Sequence, residues 1–234
     1  MMLQLVLVVA IAIIANAVAL PLEQQGHSTG AVPVELFVMS QCPDAISCES
    51  AFAEVFKRVA VPTTLDINFI AQPNPADPLQ FSCKHGAQEC YGNMQELCYK
   101  HVHGSETWLS FIQCLNTDRA AIGTDEWAKT CAEKQGKTYG QIADCLIDGT
   151  GVKLHAKSAA RTSSLGITTS CTIYIDNKAR CVRDGNEWKN CPGGSSIEDF
   201  VKTINEARDS KGTSPSSPPS DVNLQIQPRH ALLA

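Results

Sequence analysis

The hydrophobic pattern changes period twice in the first third of the chain. Residues 32–39 (VPVELFVM) and 63–71 (TTLDINFIA) are apolar and rich enough in β-branched residues for buried strands. Between them, apolar residues from Ala51 to Val59 recur at helical spacing. Strand, helix and strand within about 40 residues predict a βαβ unit, whose two strands should be parallel.

The rest of the chain divides into a helical middle and a second β-region. Residues 79–161 have helical spacing and no convincing strand, which predicts a helical insertion. Residues 172–175 (TIYI) and 180–183 (RCVR) flank a turn and predict an antiparallel hairpin, and residues 195–207 predict a last helix. This order, βαβ then an insertion then ββα, is that of an α/β protein with the thioredoxin-like fold.

The two ends of the chain differ from this predicted domain, which spans residues 30–207. Residues 3–20 are an apolar run that ends in small residues. We therefore expect residues 1–19 to be a cleaved signal peptide, with an uncleaved anchor as the alternative. Residues 208–234 are rich in Ser and Pro, which predicts a disordered tail. After signal cleavage no membrane association is expected.

Charge and cysteine content narrow the possible functions and compartments. The formal net charge is −5 and no block of Lys or Arg occurs, so neither nucleic acid nor an anionic membrane is an expected partner. No cofactor is predicted. Eleven cysteines favour an oxidising compartment. Because the number is odd, at least one thiol should be free, bonded to another chain, or part of a redox pair that changes partners.

Cys42 is the first candidate for chemistry. It lies between a predicted buried strand and a predicted helix, where the helix dipole and free backbone N–H groups would stabilise a thiolate nucleophile. Pro43 suits the first helical turn, which needs no N–H at that position. The alternative is that Cys42 forms half of a structural disulfide. A resolving thiol would normally stand three residues later, where this chain has Ala45, and the next cysteine is Cys48.

The insertion begins with a dense motif. Its sixteen residues CKHGAQECYGNMQELC follow the pattern C-x-H-G-x-x-E-C-x-x-N-x-x-x-x-C, from Cys83 to Cys98. With the later cysteines and the predicted element order, this motif resembles the gamma-interferon-inducible lysosomal thiol reductase family. Glu89 and Asn93 are expected to brace the loop. A zinc site at His85 is the alternative to a purely structural motif, but we predict no metal because the spacing is not that of a zinc ribbon.

The resemblance implies a thioredoxin-like domain that reduces protein disulfides in acidic vesicles through a C-x-x-C pair. This chain has C-x-x-x-x-x-C instead, and Cys171 stands where relatives carry a proline before the third strand. The six insertion cysteines are expected to pair among themselves in one of fifteen ways, and Cys181 is expected to bond Cys191. The insertion cysteines are Cys83, Cys90, Cys98, Cys114, Cys131 and Cys145.

Cys42, Cys48 and Cys171 remain, and on this fold the loop that bears Cys171 should pack against the turn that bears Cys42. We predict a catalytic site of these three, with Cys42 as nucleophile and either of the others as resolving thiol. A Cys42–Cys48 bond is favoured over a Cys42–Cys171 bond because the short loop closes more easily.

The predicted function is therefore that of a thiol-disulfide oxidoreductase of the secretory or lysosomal/vacuolar lumen. Its expected partners are proteins that contain disulfides. The alternative is a redox-inactive secreted protein that keeps the fold and uses it to bind a partner.

Overall fold

The computed structural model describes residues 30–74 and 76–212. The predicted signal peptide and most of the predicted tail lie outside these residues. The strands are β1 (Val32–Val38), β2 (Thr63–Phe69), β3 (Gln72–Asn74), β4 (Asp77–Ser82), β5 (Thr172–Ile175), β6 (Lys178–Asp184) and β7 (Glu187–Lys189). The helices are α1 (Pro43–Arg58), α2 (Ala87–His103), α3 (Trp108–Leu115), α4 (Asp125–Lys134), α5 (Tyr139–Ile147), α6 (Thr150–Ser164) and α7 (Ile197–Gly212).

The main sheet has the strand order β2-β1-β5-β6-β7. Strand β1 is parallel to β2 and antiparallel to β5, so the predicted βαβ unit and the later hairpin join along one central strand. The hairpin turn at Asp176 and Asn177 has positive φ at both residues, the geometry of the two-residue turns that match strand twist. The α/β thioredoxin-like fold with a helical insertion is confirmed.

Helix α1 forms because its sequence satisfies both ends and one apolar face. Pro43 occupies the first turn, and Lys57 and Arg58 complement the dipole in the last turn. Residues Ala45, Cys48, Phe52 and Val55 are fully buried, at the spacing of one helix face. This face belongs to the same core as Phe200 of α7, whose ring lies 5.0 Å from that of Phe52.

The insertion is helical from α2 through α6, with a 3₁₀ turn at Arg119–Ala121 between α3 and α4. Its three internal disulfides join Cys83 to Cys90, Cys98 to Cys145, and Cys114 to Cys131. Outside it, Cys181 bonds Cys191. Helix α6 leaves the insertion to pack on β2, where Ser158 accepts a hydrogen bond from the backbone N–H of Phe69 at 2.7 Å.

Three details differ from the sequence-based expectations. The proline-rich break at residues 74–78 turns out to join a two-stranded hairpin, β3 with β4, so the predicted insertion begins inside a strand. Helix α6 continues three residues past residue 161, where the insertion was predicted to end. Helix α7 runs to Gly212, five residues into the predicted tail. Among the described residues, no helix is both long enough and apolar enough to cross a membrane.

Two buried carboxyl groups lie where α1, α2 and the end of α3 meet. Glu49 and Glu96 are each 1% exposed. Glu49 accepts a hydrogen bond from Asn116 at 2.7 Å, while its second oxygen and Oε2 of Glu96 have no partner. Burial raises the pKa of Glu49 to about 7, against a smaller lowering effect of Asn116. Burial, then Glu49 and Glu89, raise the pKa of Glu96 well above its usual range.

We expect Glu49→Gln to change how stability depends on pH. A raised acid pKa makes the folded state bind more protons than the unfolded state, so stability falls as pH rises from about 4.5 through about 7. The full effect of such a shift is about 3 kcal/mol. His155 opposes it, because burial lowers the pKa of this imidazole to about 4.

The test is therefore the difference between variant and wild type in the free energy of unfolding, measured by urea denaturation from pH 4.5 to 7.5. The free energy of unfolding of Glu49→Gln should increase relative to that of wild type as pH rises. Glu106→Gln, at an exposed position between α2 and α3, is the control and should stay parallel to wild type. If the stability of Glu49→Gln and of wild type changed in parallel with pH, the raised pKa of Glu49 would be contradicted.

Candidate active site

Cys42 immediately precedes α1, as predicted. Its backbone is extended (φ −81°, ψ 128°), and its carbonyl accepts the N–H of Ile46 at 3.1 Å, which closes the first helical turn. The side chain is half-buried and has no disulfide partner. The thiol therefore stands at the N-terminal end of α1.

The loop that carries Cys42 is held by the insertion's motif. The buried carboxylate of Glu89 accepts the backbone N–H of Gln41 at 3.2 Å, and the side-chain oxygen of Asn93 accepts that of Ser40 at 3.4 Å. Glu89 also accepts the backbone N–H of His85 at 3.2 Å and its Nδ1–H at 2.5 Å. Glu89 and Asn93 thus act as braces rather than as acid or base.

Asn93 extends this network into the core. Its amide nitrogen lies 3.3 Å from Nε2 of His155 and 3.7 Å from the sulfur of Cys83. The ring of His155 packs against that of Phe81, with ring centroids 4.6 Å apart. Burial lowers the pKa of this imidazole, so it is neutral at ordinary pH. Among the described residues, no group of three or more His, Cys, Asp or Glu side chains could hold a metal ion.

Two further contacts fix the start of α1. The side chain of Gln41 donates to the carbonyl of Ile122, in the insertion, at 2.8 Å. The carboxylate of Asp44 accepts the backbone N–H groups of Gly185 and Asn186, in the β6–β7 turn, at 2.9 Å each. The sequence analysis did not assign a role to Asp44, because its partners lie about 140 residues away and are backbone groups.

The loop before β5 closes the site from the other side. Ser170 accepts the backbone N–H of Met39 at 3.0 Å, and the Ser170 carbonyl oxygen lies 3.9 Å from the Cys42 sulfur. The peptide bond between Ser170 and Cys171 is cis. Backbone hydrogen bonds in both directions tie Cys171 to Arg183 of β6, at 2.9 and 2.8 Å. The predicted packing of this loop against Cys42 is therefore present.

The pairing within the predicted three-cysteine site was wrong. Cys48 bonds Cys171, and Cys42 is the free thiol. The favoured Cys42–Cys48 bond required a non-helical stretch between them, but α1 is helical from Pro43 onward. Six residues of helix separate two Cα atoms by about 9 Å, whereas a disulfide spans at most about 7 Å. The alternative Cys42–Cys171 bond is not formed either.

Two small cavities border the loop that precedes Cys42. One, of about 210 Å³, is lined by Gln41, His85, Gln88, Arg119 and Ala120. The other, of about 230 Å³, has among its lining residues Met39, Ile70, Lys84 and Thr168. The first contains two basic side chains and the second is mostly apolar.

Comparison with known proteins identifies the family of the segment that contains this site. Residues 33–135 match the family model described as "Gamma interferon inducible lysosomal thiol reductase (GILT)". The chain therefore carries a domain of this family, which includes Cys42 and the whole insertion motif. No curated protein matches the sequence.

Several solved structures of low sequence identity share the fold. Oxidised BdbD from Bacillus subtilis matches with a TM-score of 0.55 and 13% identity over 79% of this chain and 91% of that one. Reduced DsbA1 from Neisseria meningitidis matches with a TM-score of 0.54 and 12% identity, over 83% and 92%. The thiol-disulfide exchange protein alpha-DsbA2 from Wolbachia pipientis gives 0.55 and 11%, over 77% and 84%. At such identities the likeness establishes the DsbA-like fold alone.

We expect Glu89→Gln to loosen the Cys42 loop. The amide keeps one acceptor oxygen but directs an NH₂ group at donors that need an acceptor, which costs about 1–3 kcal/mol for a buried group. The rate at which a thiol reagent modifies Cys42 should also change, and mass spectrometry in native buffer measures this rate. Glu106→Gln is the matched control, and equal rates and stabilities for Glu89→Gln and wild type would contradict the brace.

Proposed function

We propose that this protein is a thiol-disulfide oxidoreductase in which Cys42 attacks the disulfides of protein substrates. The observation that carries the proposal is the position of Cys42. It is the one cysteine of the described residues without a disulfide, it is partly exposed, and it begins a helix. Its loop is bonded to the insertion, to the β6–β7 turn and to the loop before β5.

The chemistry follows from this position. A thiolate attacks one sulfur of a disulfide, and the leaving sulfur departs as a thiolate that takes a proton from solvent. The side chain of Cys42 is partly exposed, so a substrate disulfide can reach its sulfur. The braces hold this sulfur in place, so little ordering of the site is needed when a substrate binds.

Protein substrates fit the surface around Cys42 better than a small molecule does. Cys42 itself lines neither of the two cavities described above. They border Gln41 and Met39 of its loop, and one is basic and the other mostly apolar. An extended peptide segment that crosses Cys42 could place side chains in both.

The compartment we propose is the secretory or lysosomal/vacuolar lumen. The domain belongs to a family whose description is lysosomal. Ten cysteines form five disulfides, which persist in oxidising compartments and are rare in the cytosol.

A redox-inactive binding protein is the second candidate, and one observation favours it. Ala45 occupies the position three residues after Cys42, where a resolving thiol would normally stand, and it is fully buried. A chain that uses only its fold to bind a partner would need no reactive cysteine.

Replacement of the nucleophile distinguishes the two candidates. Cys42→Ser should lose the capacity to form a mixed disulfide with a disulfide-bonded test protein, because a hydroxyl does not attack sulfur under these conditions. The measurement is the mass of the covalent adduct after acid quenching. Ser50→Ala, an exposed position on the same helix, should behave as wild type. Wild-type protein that forms no adduct through Cys42 would leave the binding function as the better account.

A further inference from the structure

The two cysteines that could resolve a mixed disulfide on Cys42 are bonded to each other. Cys48 and Cys171 are each 0% exposed. The other cysteines of the described chain are also in disulfides. No thiol of this chain is therefore available for the second half of a reduction cycle.

We propose that Cys42 is a single-cysteine exchange catalyst, and that the thiol that resolves its mixed disulfide comes from the substrate. The protein then rearranges substrate disulfides, with no net gain or loss of electrons by the chain. This inference rests on the proposed role of Cys42 as nucleophile and specifies the reaction that such a nucleophile can complete.

The helix excludes Cys48 as a partner of Cys42 even if the buried bond were reduced. The first turn of α1 is closed by the bond from Ile46 N–H to the Cys42 carbonyl, and Ser47 Oγ donates to the carbonyl of Pro43 at 3.0 Å. With this turn intact, the Cα atoms of Cys42 and Cys48 are about 9 Å apart along the helix axis. A disulfide allows a Cα–Cα distance of at most about 7 Å.

Cys171 follows the residue that contacts the Cys42 thiol, but its sulfur is bonded to Cys48 of α1. The residue before it, Ser170, touches the Cys42 thiol through its carbonyl oxygen, at 3.9 Å. Cys171 itself is held by Arg183 of β6 on one side and bonded to Cys48 on the other. Solvent has no access to this bond, so a dissolved reductant cannot reach it in the folded protein.

The proposed cycle is balanced without an external oxidant or reductant. In the first step the Cys42 thiolate attacks a substrate disulfide, a Cys42–substrate bond forms, and one substrate sulfur leaves as a thiolate. In the second step a different substrate thiolate attacks the substrate sulfur of the mixed disulfide. A new substrate disulfide forms, and Cys42 departs as a thiolate ready for another cycle.

Product mapping on the full chain tests this. The probe is a test protein of two chains joined by one disulfide and with no free thiol, mixed in excess with wild-type protein without added reductant, so that the released chain is not tethered to the adduct. We expect the Cys42 adduct to accumulate, with Cys48 still bonded to Cys171. Adding a test protein with scrambled disulfides and a free thiol should clear the adduct at least about tenfold faster.

A Cys42–Cys171 bond, with both substrate sulfurs released as thiols, would overturn the proposal, because the chain would then resolve its own adduct. Absence of any adduct would instead refute the nucleophile on which the proposal rests, so the two failures are distinguishable.

Refolding activity provides a second readout. A test protein with scrambled disulfides should regain its own activity with wild-type protein and with the exposed control Ser50→Ala, but not with Cys42→Ser. Recovery at the wild-type rate with Cys42→Ser would overturn the proposal.

Discussion

The Cys48–Cys171 bond is the constraint on which the candidate active site depends. It joins the second turn of α1 to the loop before β5, across a sequence separation of 123 residues. On the chain-entropy model a bond that closes a loop of this length stabilises the folded state by about 5 kcal/mol. It also uses both cysteines that stand near Cys42, and leaves that thiol alone at the start of the helix.

A second constraint is the polar interface between the thioredoxin-like core and the insertion. Glu89 and Asn93 bind the backbone just before Cys42, while Glu49 and Glu96 meet further along α1 and α2. A buried carboxyl group is costly unless it is paired or protonated. Glu89 is satisfied by three N–H donors, whereas the other two are favoured in the protonated form. The insertion therefore supports the site through specific polar contacts as well as through packing.

Sequence periodicity was sufficient for the main elements but not for every connection. The strand before Cys42, the helix after it and the β5–β6 hairpin each have one clear apolar period, and each was predicted. The pairing of β3 with β4 was missed because the prolines within residues 74–78 were interpreted as a break, although proline is tolerated in edge strands. The bracing role of Glu89 and Asn93 was predicted from the motif, but their partners could not be, since backbone N–H groups have no sequence signal.

Cysteine pairing depends on three-dimensional proximity, and chain separation was a poor guide to it. The bond predicted from loop length joined Cys42 to Cys48, and the helix excludes it. Helical spacing contained a usable signal, because Cys48 falls on the buried face with Ala45 and Phe52, turned toward the core. Glu49 falls beside that face as well, which indicated a buried acid that the sequence analysis did not assign.

The most direct test is a count and map of free thiols in the native protein. An alkylating reagent applied before denaturation should modify one cysteine, Cys42, and denaturation without reduction should expose no second thiol. Peptide mapping should then recover Cys48 joined to Cys171. A native protein in which Cys42 resists alkylation because it is bonded to Cys48 or Cys171 would contradict the account.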